Sequence, residues 1–414
     1  MAERRFLGID CGTSGLRGIV IDESGLILAE AREPLPASGQ SEDGGVTQDP
    51  RDWERALMAL LDRMPSVDAL AVDGTSGTLV ATDADGRPLA PARMYDDRSA
   101  RAHAPAIAAV APPECGAHGA TSALARLLDL QAACPDARHV MTQADWLASR
   151  LGAPMGVSDD NNVLKLGFDP VAREWPAWMD RLGVRRALLP EVMPPGSVLA
   201  SGSAGSTLVI AGTTDGCASF LATGADGIGD AVTALGSTMT LKLMSDKPVF
   251  VPALGVYSHR MGDRWLVGGA SNSGGKALLR FFAAGEIERL TPLIDLSTPT
   301  GRDWHPLAGT GERFPVQDES MTFEPDDRPA EPERFLQALL EGMTGVEARG
   351  YAALEKHGAG RPKTIRTVGG GARNPVWRAM REARLGLAMT EPLHIEAAYG
   401  TARLARAGYL DARR

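Results

Sequence analysis

Residues 6–10 are apolar up to a closing aspartate, and residues 16–22 are mostly apolar and β-branched. Each run reads as a buried strand, with Cys11-Gly12-Thr13-Ser14-Gly15 as the turn between them. Glu23-Ser24-Gly25 is a second turn, so residues 26–29 predict a third strand. Apolar positions recur at helical spacing over residues 53–64, and residues 69–73 form another buried strand that ends on Asp73. Residues 124–133 and 143–151 read as helices, whereas the Ala-rich stretch 100–120, broken by Pro and Gly, reads as loop and weak helix. Residues 208–211 predict a short strand leading into Gly212-Thr213-Thr214-Asp215-Gly216.

The second half echoes the start. Residues 230–235 and 239–244 predict two strands around Gly236-Ser237-Thr238, the same strand–turn–strand unit as residues 6–22. Two such units, one per half, imply an internally duplicated architecture. Residues 335–354 form a long amphipathic helix, and residues 364–368 form a strand entering Gly369-Gly370-Gly371. Helices over 377–386 and the Ala-rich 396–409 close the pattern, and the acidic stretch 317–333 reads as an exposed loop.

Length and charge narrow the classes. A chain of 414 residues exceeds one ordinary core, which implies two domains of about 200 residues each. The net charge of −9 comes without a basic stripe, so neither nucleic acid nor a membrane surface is an expected partner. The N-terminal apolar segment is broken by Asp10 and Gly12, too early for a signal peptide or a spanning helix. The four cysteines (Cys11, Cys115, Cys134, Cys217) show no CxxC pairing, so neither a disulfide framework nor a zinc site is expected. A reducing cytoplasm is the expected compartment.

Several strings carry candidate chemistry, each with a plainer alternative. Asp10-Cys11-Gly12-Thr13-Ser14-Gly15 offers backbone N–H groups and hydroxyls to an anion, and a carboxylate useful there if Mg²⁺ intervenes; it is equally a capped hairpin turn. Gly236-Ser237-Thr238 is an ordinary turn or a second phosphate turn. Val368-Gly369-Gly370-Gly371-Ala372-Arg373-Asn374 lets a flat ligand approach the backbone or is a glycine loop; no Gly-Lys-Ser/Thr follows, so it is no Walker motif. Asp215 is a helix cap or a base for a hydroxyl nucleophile. Asp73-Gly74-Thr75-Ser76-Gly77-Thr78 suits sugar hydroxyls or is a plain loop, and Tyr95-Asp96-Asp97-Arg98 is a solvated charge cluster or an ion pair ordering a loop. Cys11 and Cys217 each lie close to a candidate Asp and read as small buried hydrophobes, with redox sensitivity as the alternative.

The order of these strings along the whole chain resembles the FGGY carbohydrate kinases, in the hexokinase/actin-like ATPase superfamily. The strings "GIDCGTSGLRGIVID", "PLAPARMYDDR", "SDDNNVLKLGFDP", "LLPEVMPPGSVLASG", "IAGTTDGCASFLATGA", "ALGSTMTLKL" and "TVGGGARNPVWRAM" carry it. Within the family, "VDGTSGT", "QADWL", "GVYSHRMGDRWLVGGASNSGG", "GERFP" and "EAAYGTARLA" are similar to the plant and cyanobacterial D-ribulokinase group. The Met-His-Gly sugar loop usual in xylulokinases and the Arg-Glu pair usual in glycerol kinases are both replaced by Gly74-Thr75-Ser76-Gly77.

The resemblance implies an α/β, two-domain ribonuclease H-like/actin-like ATPase fold with a cleft between domains. It implies a sugar-binding domain over 1–222 and a nucleotide-binding domain over 223–414, the last helix (about 396–414) packing back on the first. ATP and Mg²⁺ are the implied cofactors, a small sugar and ATP/ADP the partners, and the assembly a monomer or homodimer. Asp10 would hold Mg²⁺ through water, with Asp215 the second candidate, and Thr13 and Ser14 would face the γ-phosphate. Ser76, Asp10 and Asp215 would contact the sugar, and Asp215 would take the proton. Gly236, Ser237 and Thr238 would bind the β/γ-phosphates, and Gly370, Gly371, Asn374 and Trp377 would flank the adenosine. The implied reaction makes D-ribulose 5-phosphate. Xylulose, ribitol or glycerol kinases and a non-kinase actin-like ATPase are the alternatives.

Overall fold

The computed structural model describes residues 4–201 and 207–413. Gly202, which closes the string LLPEVMPPGSVLASG, lies outside them, as does Arg414. The chain divides into two compact units. The first comprises Met1–Gly224, His259–Gly262 and Glu396–Arg414, and the second Ala225–Ser258 and Asp263–Ile395.

In the first unit the strand Arg5–Cys11 alternates apolar side chains to both faces and is the centre of a sheet. It pairs antiparallel with Gly15–Asp22, which pairs antiparallel with Ile27–Pro34. On its other side it pairs parallel with Ala69–Gly74, which pairs parallel with Leu208–Thr214. Val198–Ser201 adds an antiparallel edge. The third strand runs five residues beyond the predicted end at residue 29, because Ala31 keeps an inward apolar position inside the charged stretch. The strand Leu208–Thr214 likewise continues through a bulge between Ile210 and Thr213, so Gly212-Thr213-Thr214 belongs to the sheet and not to a turn.

Two helices cover opposite faces of this sheet. Pro50–Leu61 is capped by Asp49, whose side chain accepts from the Arg51 N–H, and buries Trp53, Leu57 and Leu60. Ala397–Asp411 lies against Arg5–Cys11 and against the helix Asp215–Ala222. That approach is close enough to require glycine: a Cβ on Gly400 would stand 1.9 Å from the Ala218 carbonyl oxygen. A smaller five-stranded sheet completes the unit, with Leu79–Thr82 between Ala92–Arg93 and His139–Thr142. The stretch 100–120 is loop after a short helical run, in which the 3-10 turn Ser99–His103 continues into the helix Ala104–Ala108.

The second unit repeats the first. Asp230–Leu235 pairs antiparallel with Met239–Ser245, which pairs antiparallel with Arg264–Ser271. It pairs parallel with Thr364–Val368, which pairs parallel with Met389–Thr390. Five strands therefore share one order and one set of directions with their counterparts in the first unit. The helix Pro332–Lys356 buries Phe335, Leu339, Leu340 and Met343 in the core of this unit. It also carries Glu347, fully buried, whose carboxylate accepts from the Arg381 guanidinium at 2.6 and 2.7 Å and from Thr233 at 2.5 Å. Arg381 donates further to Thr367 at 2.8 Å, so a single ion pair ties two helices to two strands.

Candidate active site

The sheet of the first unit brings its polar residues into one line. Asp10 lies beside Asp73, and Asp73 beside Thr213, on three adjacent parallel strands. All three strands end one residue later, so residues 12–14, residues 75–77 and Asp215 leave neighbouring carboxyl ends, where open α/β sheets bind their ligands. Asp215 opens the helix Asp215–Ala222 and accepts from the Gly216 N–H at 2.7 Å; the cap position itself belongs to Thr214.

Three carboxylates share this neighbourhood with little compensating charge. Burial raises the Asp10 carboxyl, and the Asp215 charge raises it further; a hydrogen bond from Asp73 and the Arg17 charge act in the opposite direction. Burial, followed by the Asp10 charge, pushes Asp73 well above the usual carboxylate range. Asp73 is fully buried, one of its oxygens accepts from the Thr401 hydroxyl, and the other has no acceptor-type bond. Of the pair, Asp73 is the carboxyl pushed further toward its protonated form. The Cys11 thiol is raised well above its ordinary value, chiefly by burial, and stays protonated.

The surrounding loops are held by buried side chains. Gln48 donates to the Thr13 carbonyl at 2.8 Å and accepts from the Trp53 indole at 2.9 Å, which fixes the first turn while leaving Thr13 and Ser14 exposed. Arg126 donates to the carbonyls of Gly77 and Asp97 at 2.6 and 3.1 Å and so clasps loop 75–77 to loop 95–98. Asp97 is buried and accepts from the N–H groups of Val46 and Ser99, both at 2.9 Å; it orders the loop and is not a solvated charge. Tyr95 sits in the field of Asp96 and Asp215, although burial is the larger cause of its raised pKa. Thr75 is spent on Thr78 and Gln143, whereas the Ser76 hydroxyl has no partner and Lys165 donates to the Ser76 carbonyl at 3.3 Å.

In the second unit, Gly236, Ser237, Gly370, Gly371, Asn374 and Trp377 line one cavity of about 670 Å³. Leu278, Ile287, Pro292 and Val376 make its remaining walls largely apolar. Thr238 closes the turn through its carbonyl, which accepts from the Gly236 N–H at 3.1 Å. Asn374 caps the helix Pro375–Leu385 by accepting from the Trp377 N–H and donates to Thr291, so its side chain is already engaged. Trp377 is 3% exposed and donates to Thr344 at 3.0 Å; it supports Gly371 from below.

Gln48 and Arg126 are not among the sequence candidates for the site, and Asp73 enters there only as the first residue of a candidate loop, with no role of its own. Asp73 had a visible signal, since "DCGTSG" and "DGTSGT" are near repeats, each following a strand. Arg17, in register with Asp10 and ion-paired to Glu396, was also missed. Among the described residues no group of three or more His, Cys, Asp or Glu side chains could hold a metal ion, and no helix is long and apolar enough to cross a membrane.

The chain matches the N-terminal domain of the FGGY family of carbohydrate kinases over residues 5–111 and its C-terminal domain over residues 231–409. It is 25% identical to the xylulose kinase of Escherichia coli (strain K12), over 91% of this chain and 84% of that one. Its fold is similar to a "xyloylose kinase" from Brucella ovis, with a TM-score of 0.86 at 22% identity over 99% of this chain and 91% of the other. It is also similar to Plasmodium falciparum glycerol kinase with ADP, with a TM-score of 0.83 at 16% identity over 98% and 90%. At these identities the two structures show the fold alone.

Proposed function

Because the chain belongs to the FGGY family of carbohydrate kinases, we propose that it passes the γ-phosphate of ATP to a hydroxyl of a ketopentose, D-ribulose. It is a phosphotransferase with an alcohol group as acceptor. The observation that carries the reading is the row Asp10–Asp73–Thr213 at three parallel strand ends, with Asp215 directly beyond it.

Asp215 takes the proton from the attacking hydroxyl. Its place at the start of a helix holds the carboxylate in one orientation, and general-base help of this kind is worth about 10²–10⁴-fold. Phosphoryl transfer otherwise depends on positioning and on neutralising charge. Thr13 and Ser14 present an exposed turn to the γ-phosphate, and Gly236, Ser237 and Thr238 present theirs to the β/γ-phosphates. The cavity behind Gly370 and Gly371 takes the adenosine, with Asn374 and Trp377 holding its wall in shape.

A magnesium ion fits the residues present in one form only. Burial, and then the Asp215 charge, raise the Asp10 carboxyl, yet no three-ligand cluster exists among the described residues. Asp10, through water, and Asp215 would hold a hydrated Mg²⁺ there. When bound it supplies charge neutralisation at the phosphates.

The choice of sugar rests on loop 75–77. Thr75 is turned inward, so Ser76 is the hydroxyl left for a ligand, with Asp10 and Asp215 as the charged contacts. The likeness to a xylulose kinase over 91% of the chain favours D-xylulose as the second candidate. The test is a coupled ADP-release assay with Mg·ATP against D-ribulose, L-ribulose, D-xylulose, ribitol, glycerol and no sugar. D-ribulose should give the highest kcat/KM. A higher value for D-xylulose or a polyol would overturn the acceptor, and turnover independent of every sugar would overturn the transfer itself.

A further inference from the structure

We propose that Lys276 binds the phosphate tail of the nucleotide, and that Glu312 is the positioning residue that holds its loop in place. The inference rests on the nucleotide occupying the second unit's cavity, as argued above.

Lys276 is an exposed residue that lines this cavity beside Gly236, Ser237 and Gly275. Its backbone is fastened to the phosphate turn. The Gly275 N–H donates to the Gly236 carbonyl at 2.8 Å, and the Lys276 N–H donates to the Ser237 carbonyl at 3.3 Å. No side chain separates the two segments: a Cβ on Gly274 would stand 2.5 Å from the Cα of Thr238. The lysine stem therefore starts within one residue of the atoms proposed to hold the β- and γ-phosphates.

The preceding segment is staked down by Glu312, which is 2% exposed and comes from the string "GERFP", to which the reading above gives no task. One carboxylate oxygen accepts from the Ser271 hydroxyl and bonds to His305, both at 2.6 Å. The other accepts from the N–H groups of Asn272 and Arg313, both at 2.8 Å. Asn272 in turn donates to the Gly311 carbonyl at 2.8 Å, and the Ser273 N–H donates to Ser271 at 3.0 Å. A buried carboxylate with this many donors holds one loop conformation, and Lys276 follows directly from it.

Charge makes the lysine useful. The other charged residues lining the cavity are Glu288 and Arg373, and Arg373 stands on the triple-glycine wall. The turn 236–238 offers partial charges from N–H groups. A polyphosphate carries several full negative charges, and a compact ammonium on a flexible stem meets them as a point charge.

The experiment compares dissociation constants of ADP and of adenosine, by titration calorimetry, for the full chain, Lys276→Ala, Lys276→Arg and Glu312→Gln at low and high salt. Lys276→Ala should weaken ADP about tenfold, leave adenosine unchanged, and flatten the salt dependence of ADP binding. Lys276→Arg should keep most of the ADP affinity. Glu312→Gln should reproduce part of the selective ADP loss with adenosine affinity and circular dichroism retained. Unchanged ADP binding in Lys276→Ala, or equal losses for ADP and adenosine in that variant, would overturn the role of the lysine. Equal losses in Glu312→Gln would overturn the positioning role. Failure of the unmodified chain to bind ADP would instead strike the nucleotide reading, so the two failures are distinguishable.

Discussion

The two units share five strands in one order, yet the matching rows across their sheets differ in kind. In the first unit the row reads Arg17, Asp10, Asp73, Thr213. In the second the corresponding positions are Thr240, Ala234 and Val368. One row concentrates carboxylates at strand ends, and the other leaves its strand ends to backbone turns and an apolar cavity. The second unit keeps its charged pair, Glu347 and Arg381, buried in the core, where it joins helices to strands. A duplicated scaffold thus tolerates different contents at the same register: a row of polar groups in one copy, and a mostly apolar row in the other, whose buried ion pair lies elsewhere in its core.

If that division holds, removing a polar group from each copy should have different consequences. The largest effect is expected from Asp215→Ala. Turnover should fall about 10²–10⁴-fold while ADP affinity and melting temperature stay close to those of the unmodified chain. Steady-state kinetics beside calorimetry reads both, and a loss confined to KM would remove Asp215 from the base role. Next is Arg381→Met, which strands Glu347 in the core and should cost about 3–5 kcal/mol of stability. Adding Glu347→Met should recover much of it; denaturant titration of both variants decides, and a single variant as stable as the parent would end the cohesive role of the pair.

The smallest effect concerns a buried acid of the first unit that serves no chemistry. Asp159 is fully enclosed, and burial raises its pKa to about 8, with the Asp145 charge adding to the shift. Between about pH 4 and that value the folded chain keeps a proton that the unfolded chain has released, so stability declines as pH rises through the window. Asp159→Asn removes the proton from the balance, and the unpartnered Asn162 Oδ1 lets that amide turn to meet the new side chain. The melting temperature of the variant should fall less than the parent's between pH 5 and 8, at about 2–4 °C per kcal/mol. Parallel curves would show that Asp159 does not titrate in this range.

Much of the scaffold was legible in the chain because its central strands are short, apolar and closed by Gly-rich turns. Residues 6–10, 230–235 and 364–368 fall almost on the observed strands for that reason. The Gly268-Gly269 pair breaks the alternation of Arg264–Ser271 and hides it as a strand in the sequence; only pairing with Met239–Ser245 makes it one. The two turns and Asp215 could be placed at strand ends from local sequence, because each follows an apolar run. It was not legible where partners come from afar: Arg126 reaches Gly77 across 49 positions, and Glu312 reaches Ser271 across 41. The resemblance sets Trp377 and Asn374 beside an adenosine, and their polar atoms are used within the protein, which is visible only once Thr344 and Thr291 are placed.

The helix Ala397–Asp411 gives Asp73 its hydroxyl partner from 328 positions away. During synthesis the ribosome therefore completes the second unit, which lies between, before the first can close. The strands holding Asp10 and Asp73 wait with one face uncovered and a carboxyl group without its Thr401 donor. A nascent chain can thus have the cavity of its second unit in place while the carboxylate row of its first unit still lacks its covering helix.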